Sequence, residues 1–126
     1  MSVIGVGTDI VEVSRIEQMK EAARERLAKR VLTPSELSIY ANHGQPSRYL
    51  AKRWAAKEAA SKALQTGIAK GVSFQHFEII NDDNGAPHIK LTEKALERAS
   101  TMGATSWFIS IADEQRYATA TVILSK

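Results

Sequence analysis

The run Arg48-Tyr-Leu-Ala-Lys-Arg-Trp-Ala-Ala-Lys-Glu-Ala-Ala-Ser-Lys-Ala-Leu-Gln65 constrains the fold more than any other stretch. Alanine, lysine, arginine, leucine and glutamine dominate it, so intrinsic propensity makes it a helix, with Ser47 after Pro46 as its expected cap and Gly67 as its expected stop. At about 100° per residue, Ala55, Ala56, Ala59, Ala60 and Ala63 form a small-residue face that lets a neighbouring element approach closely. Trp54, Glu58, Ser61, Lys62 and Gln65 share another arc. That arc has two readings: a solvated face with a Glu58–Lys62 pair worth about 0.2–0.5 kcal/mol, or a functional patch of carboxylate, hydroxyl and ammonium.

Val3 to Glu12 reads as a buried strand, with Ile4, Val6, Thr8 and Ile10 on one face and Gly5, Gly7 and Asp9 on the other. Two glycines beside Asp9 leave room for a ligand or for a close-packed helix. No third glycine and no immediate helix follow, so the dinucleotide-binding fingerprint is absent.

Gly5-Val-Gly-Thr-Asp-Ile-Val-Glu12 and Arg53-Trp-Ala-Ala-Lys-Glu-Ala-Ala-Ser-Lys62 together closely resemble the holo-acyl-carrier-protein synthases, the small 4′-phosphopantetheinyl transferases. The resemblance runs from the first strand to the last. It implies transfer of phosphopantetheine from coenzyme A to a serine of apo-acyl carrier protein, releasing adenosine 3′,5′-bisphosphate. Attack on phosphorus calls for a divalent ion, cations and a base. In this sequence Asp9 and Glu58 are the expected Mg2+ ligands, and Glu58 and Lys62 the expected catalytic groups. The proton acceptor is left between Glu58 and a water held by the metal. Expected coenzyme contacts are Arg53, Lys57, Ser61, Lys62, Gly67, Gly85, Pro87 and Asp113, the last standing where many family members have a histidine. The resemblance further implies an acidic carrier protein docked on Arg15, Met19, Arg26 and Lys29, and a homotrimer with active sites at subunit interfaces.

At 126 residues, with 44% hydrophobic content, the chain is long enough for one α+β domain, residues 1–126, with a modest core. The net charge of +3 favours an anionic partner without naming it. Only eight aromatics are present and none forms an interleaved basic-aromatic stacking platform, which argues against nucleic-acid binding. No cysteine is present, which agrees with a reducing cytoplasm. No stretch approaches the roughly 18 apolar residues of a membrane span, and no export signal is expected.

Ser14 and Glu17 have capping-box spacing, predicting a helix to about Arg30. Its wheel separates apolar Ile16, Ala23, Leu27 and Val31 from acidic Glu17, Glu21 and Glu25, and from basic Arg15, Arg26, Lys29 and Arg30 around Met19. Segregated charge suits a docking surface, although an ordinary exposed face reads the same way. Thr33-Pro34-Ser35-Glu36 starts a second, short helix, and His43 falls in the loop after it.

Phe74 to Asn81 and His88 to Leu91 read as a hairpin around Asp82-Asp83-Asn84-Gly85, a turn rather than a calcium loop. Thr92 is the expected cap of a helix burying Leu91, Ala95, Leu96 and Ala99. A closing hairpin pairs Trp107 to Ala112 with Tyr117 to Leu124. The last strand is apolar or small on both faces, which suggests burial on both sides and hence oligomerisation. The predicted order is strand, three helices, two strands, helix, two strands: an α+β fold with a mostly antiparallel sheet and packed helices.

Overall fold

The computed structural model describes residues 2–126. Its elements run β1 (Val3–Glu12), α1 (Val13–Glu17), α2 (Glu21–Val31), α3 (Pro34–Ala41), α4 (Pro46–Ala63), β2 (Phe77–Asn81), β3 (Pro87–Leu91), α5 (Glu93–Thr101), β4 (Ser106–Asp113) and β5 (Tyr117–Ser125). All strand pairs are antiparallel: β1-β5-β4 forms one sheet, and β2-β3 a separate hairpin.

The sheet and α4 pack face to face because both surfaces are small. Ala55, Ala56, Ala59, Ala60 and Ala63 are at most 2% exposed, and α4 lies on β1 and β5. A Cβ on Gly7 would collide with the Ala59 carbonyl oxygen, and one on Gly5 with the Ala63 carbonyl oxygen. The glycines of β1 therefore admit the helix rather than a ligand. Gly5, Gly7 and Val11 are buried against it, and Asp9 shares their face.

The opposite face of β1 departs from the expectation of a buried strand. Val6 and Ile10 are 59% and 58% exposed, and Thr8 beside them is exposed too. On β5, Ala118, Ala120, Val122 and Leu124 are buried, while Thr121 is exposed and Thr119 and Ile123 half-buried. Phe108 of β4, paired with Ile123, is 55% exposed. Within this chain the sheet has one covered face and one open face, on which Val6, Ile10 and Phe108 stand exposed among threonines and serines.

The helix expected from Ser14 to Arg30 is broken at Gln18–Lys20. Ser14 does not cap it: the hydroxyl donates to Glu12 Oε1 at 2.6 Å, and Glu12 occupies the N-cap position. In an unbroken helix Ala28 would stand about 120° from Ile16, yet both are fully buried. The break turns each segment toward the core, and it puts Arg15 and Arg26 on different helices.

Thr33 forms the predicted capping box with Glu36, followed by Pro34. Helix α4 starts instead with Gln45 at the N-cap and Pro46 in the first turn, without a side-chain cap from Ser47, and ends at Ala63, before Gly67. The segment from Phe74 opens as a 3-10 turn, Phe74–His76, before β2. Asp82 Oδ1 accepts from the Asn84 and Ala86 N–H groups, holding the β2–β3 turn. Thr92 stands at the N-cap of α5 without capping it, and Leu96, expected inside, is 39% exposed.

Candidate active site

Strand β1 presents Asp9 to the side of α4 because Gly5 and Gly7 bring the two backbones together. Lys62 Nζ donates to Asp9 Oδ1 at 2.9 Å and to the Thr8 carbonyl oxygen at 3.1 Å. The i,i+4 partner suggested by the sequence, Glu58, is not the carboxylate Lys62 pairs with. Glu58 stands one turn earlier on α4, half-buried. Burial first, and then the charge of Asp9, push its carboxyl above the ordinary value, with Lys62 opposing. Two carboxylates close enough to repel, with one ammonium that pairs with Asp9 and eases the charge of Glu58, form a site short of positive charge.

Trp54 lies beside Glu58. Its buried Nε1–H has no well-aligned partner, but it lies near enough to ease the Glu58 charge. The Arg15 guanidinium covers the Trp54 ring at 5.3 Å. Arg15, Arg26 and Lys29 are exposed and Met19 is half-buried.

A second feature lies about 140° round α4 from Glu58. A cavity of about 680 Å³ is lined by Arg48, Tyr49, Lys52, Arg53, Glu78 and Ile80, among others. Arg53 is only 5% exposed, and among the described residues it has no carboxylate partner. Its guanidinium lies 4.7 Å from the centre of the Tyr49 ring. Arg53 Nε and the Tyr49 hydroxyl are both buried without hydrogen-bond partners, and burial pushes the Tyr49 phenol up, with Arg53 opposing. A buried guanidinium lacking a paired carboxylate is costly, so Arg53, with Arg48 and Lys52 beside it, suits an anion even though Glu36 and Glu78 line the same cavity.

Two expected coenzyme contacts are corrected by this geometry. Lys57 is fully buried: Nζ donates to Glu36 Oε1 and to the Val31 carbonyl oxygen, each at 2.6 Å. Burial lowers its ammonium pKa from the ordinary value, and Glu36 opposes that shift. Ser61 is buried as well, its hydroxyl donating to the Glu58 carbonyl oxygen at 2.8 Å. Neither is open to a ligand.

Gly67, Gly85, Pro87 and Asp113 do not line the cavity. Gly67 and Gly85 have positive φ and open space where a Cβ would stand. Asp113 is engaged by Arg48 at 3.0 Å and Lys52 at 3.5 Å. Arg48, Tyr49 and Lys52 escaped the sequence reading. Their signal was the i,i+4 spacing of Arg48 with Lys52 and of Tyr49 with Arg53, on a helix already read for other arcs.

Among the described residues no group of three or more His, Asp or Glu side chains is placed to hold a metal, and no helix is long and apolar enough to cross a membrane. Magnesium sites commonly need only one or two protein carboxylates beside substrate phosphate and water. Asp9 and Glu58 meet that requirement.

The model of the 4′-phosphopantetheinyl transferase superfamily matches residues 5–122. A holo-[acyl-carrier-protein] synthase of Shewanella baltica is 60% identical over 124 residues, 98% of each chain. The crystal structure of the Neisseria meningitidis holo-[acyl-carrier-protein] synthase superimposes with a TM-score of 0.88 at 38% identity, covering 99% of this chain and 100% of that one. The Helicobacter pylori enzyme, solved in complex with coenzyme A, gives 0.81 at 34% identity over 95% of this chain and 99% of its own. The α4–β1 carboxylates, the anion-seeking cavity and these likenesses converge: the chain belongs to the holo-acyl-carrier-protein synthases, which move phosphopantetheine from coenzyme A to apo-acyl carrier protein.

Proposed function

We propose that residues 1–126 act as one Mg2+-dependent catalytic domain in which Asp9 and Glu58 hold the ion and Lys62 meets the coenzyme diphosphate. The observation carrying this is the placement of Asp9, Glu58 and Lys62 together on the closely packed β1–α4 surface. Bound there, the ion would neutralise diphosphate charge. The carrier serine oxygen attacks the phosphorus attached to pantetheine, a P–O bond breaks, and adenosine 3′,5′-bisphosphate leaves with the electron pair. Glu58, directly or through water, takes the serine proton. Lys62 stabilises the negative charge developing on the phosphoryl oxygens.

Coenzyme A also carries a 3′-phosphate away from its diphosphate, and we assign that group to the Arg53 cavity. The Asp9–Glu58 patch and the Arg53 cavity lie on different sides of α4, so one coenzyme reaches both where the carboxylate patch of one copy faces the cavity of the next. A homotrimer has such interfaces, and the open face carrying Val6, Ile10 and Phe108 is the surface its assembly would cover. Gly67, Gly85 and Pro87 border the coenzyme path, with open backbone at both glycines. The acidic carrier protein docks on Arg15, Met19, Arg26 and Lys29, spread over α1, the break and α2. Fatty acid biosynthesis in the cytoplasm is the setting that this reaction and a cysteine-free chain suit.

The test is incubation with apo-acyl carrier protein, coenzyme A and magnesium, followed by mass spectrometry of the carrier. A phosphopantetheine adduct that disappears with chelator, with Asp9→Ala and with Glu58→Ala is expected. Full activity in both folded variants would remove the proposed metal site.

A further inference from the structure

Asp113 presents a contradiction that points to its role. It sits beside a cavity whose chemistry calls for an anion, yet it is itself an anion. Its two oxygens are occupied: Oδ2 accepts from Arg48 Nη1 at 3.0 Å, and Oδ1 lies 3.5 Å from Lys52 Nζ. Both cations line the cavity, whereas Asp113 does not.

Arg48 is tied further. It donates to the carbonyl oxygens of Glu114 at 2.7 Å and Gln115 at 2.9 Å, and through Nε to Gln45 Oε1 at 3.2 Å. This one side chain therefore fastens the β4–β5 turn to the first turn of α4, at the wall of the cavity. With most of its donors engaged on protein, Arg48 acts as a strut more than as a ligand. Lys52 keeps donors free, and Asp113 limits the directions in which it can point them. The neighbouring Arg53 guanidinium, buried and without a paired carboxylate, is the cavity's strongest anion-seeking group.

We infer that Asp113 is a positioning residue that holds Arg48 and Lys52 as an ordered cationic wall and so sets the preference for a coenzyme bearing a 3′-phosphate. The inference rests on the assignment of the 3′-phosphate to the Arg53 cavity. Two effects of Asp113 oppose each other: its charge repels a phosphate, while its hydrogen bond from Arg48 and its ion pair with Lys52 order two long side chains. At the partial exposure of this cluster the charge is screened and shared with two cations. Ordering of rotamer-rich side chains before the ligand arrives is the larger effect.

Steady-state kinetics with coenzyme A and with 3′-dephospho-coenzyme A, on the wild type, Asp113→Ala and Asp113→Asn, separate the possibilities. The wild type should have the lower KM for coenzyme A. Asp113→Ala should raise that KM by about ten-fold, the scale of one charge-assisted hydrogen bond, with kcat and the KM for the dephosphorylated substrate within two-fold. Asp113→Asn, whose side-chain carbonyl still accepts from Arg48, should recover most of the loss. A wild type indifferent to the 3′-phosphate would overturn the cavity assignment and the inference with it. A discriminating wild type matched by Asp113→Ala would overturn the inference alone. So would tighter coenzyme binding in both variants, because charge would then outweigh ordering. Thermal melting of each variant confirms that folded protein is compared.

Discussion

Two lysines five residues apart on α4 each face a carboxylate, and they do opposite things. Lys57 meets Glu36 with the side chains 0% and 1% exposed; Lys62 meets Asp9 with 52% and 19% exposed. Around the first pair every group is committed. Glu36 also accepts from the Thr33 and Ile79 N–H groups, and Lys57 from its side donates to the Val31 carbonyl oxygen. That pair joins the end of α2, the start of α3, α4 and β2. Around the second pair Lys62 is half open to solvent and Glu58 stands nearby with its protonation shifted upward. Buried charge with every partner filled is architecture; a charged pair left partly open is available to substrate.

Breaking the buried pair should give the largest effect. Lys57→Ala leaves Glu36 buried without its counter-ion and should cost about 3–5 kcal/mol of stability, measured as a fall in the urea midpoint at constant m-value. A change within experimental error would show that Glu36 is satisfied by its backbone donors alone.

The open pair should respond in activity. Lys62→Ala is expected to lower kcat/KM by about 10²–10³-fold, the scale of losing one group that stabilises transition-state charge. Stability should move by about 1 kcal/mol or less, since the pair is exposed. A stability loss as large as that of Lys57→Ala would erase the contrast.

Gly7→Ala acts on the device that brings Asp9 to α4. Its methyl would meet the Ala59 carbonyl oxygen, so strand and helix must separate, at a cost of about 1–3 kcal/mol. Activity should fall further than the fraction unfolded accounts for, because Asp9 moves away from Glu58. Activity falling only in step with unfolding would show that the spacing tolerates the shift.

The smallest effect is the dependence on pH. The fold raises the Glu58 pKa, so without metal its stabilising contribution is present below the ordinary carboxylate pKa and is lost as pH rises through the raised value. Magnesium binding has the opposite sign, since it needs the ionised carboxylate. The magnesium concentration for half-maximal activity should therefore fall as pH rises through that window. In Glu58→Gln whatever binding persists should lack this step; an unchanged step would assign it to another group.

Local signals were legible where the partner is local. The Thr33–Glu36 capping box links residues three positions apart and formed as expected, as did the Asp82 turn. Ser14 and Glu17 have the same spacing, but Glu12 takes the Ser14 hydroxyl and the chain must re-aim Ile16 and Ala28 into one core. Lys57 was expected among the coenzyme contacts because it lies in the matched motif, and a motif position does not say what covers the side chain. Its partner Glu36 lies 21 residues away and reaches it only through packing.

By itself the sequence determined the α4 helix, its alanine face, the strand carrying Asp9 and the membership of a transferase family, because propensity, periodicity and short motifs are properties of neighbours along the chain. Tertiary structure decided that Gly5 and Gly7 admit a helix, that Lys62 turns to Asp9 rather than Glu58, that Lys57 is buried, and that Asp113 engages two cations, Arg48 and Lys52, that line one cavity. Those outcomes depend on which distant groups remove water from a side chain and which hydrogen-bond partners remain to it, and burial and partners exist only once the chain has packed.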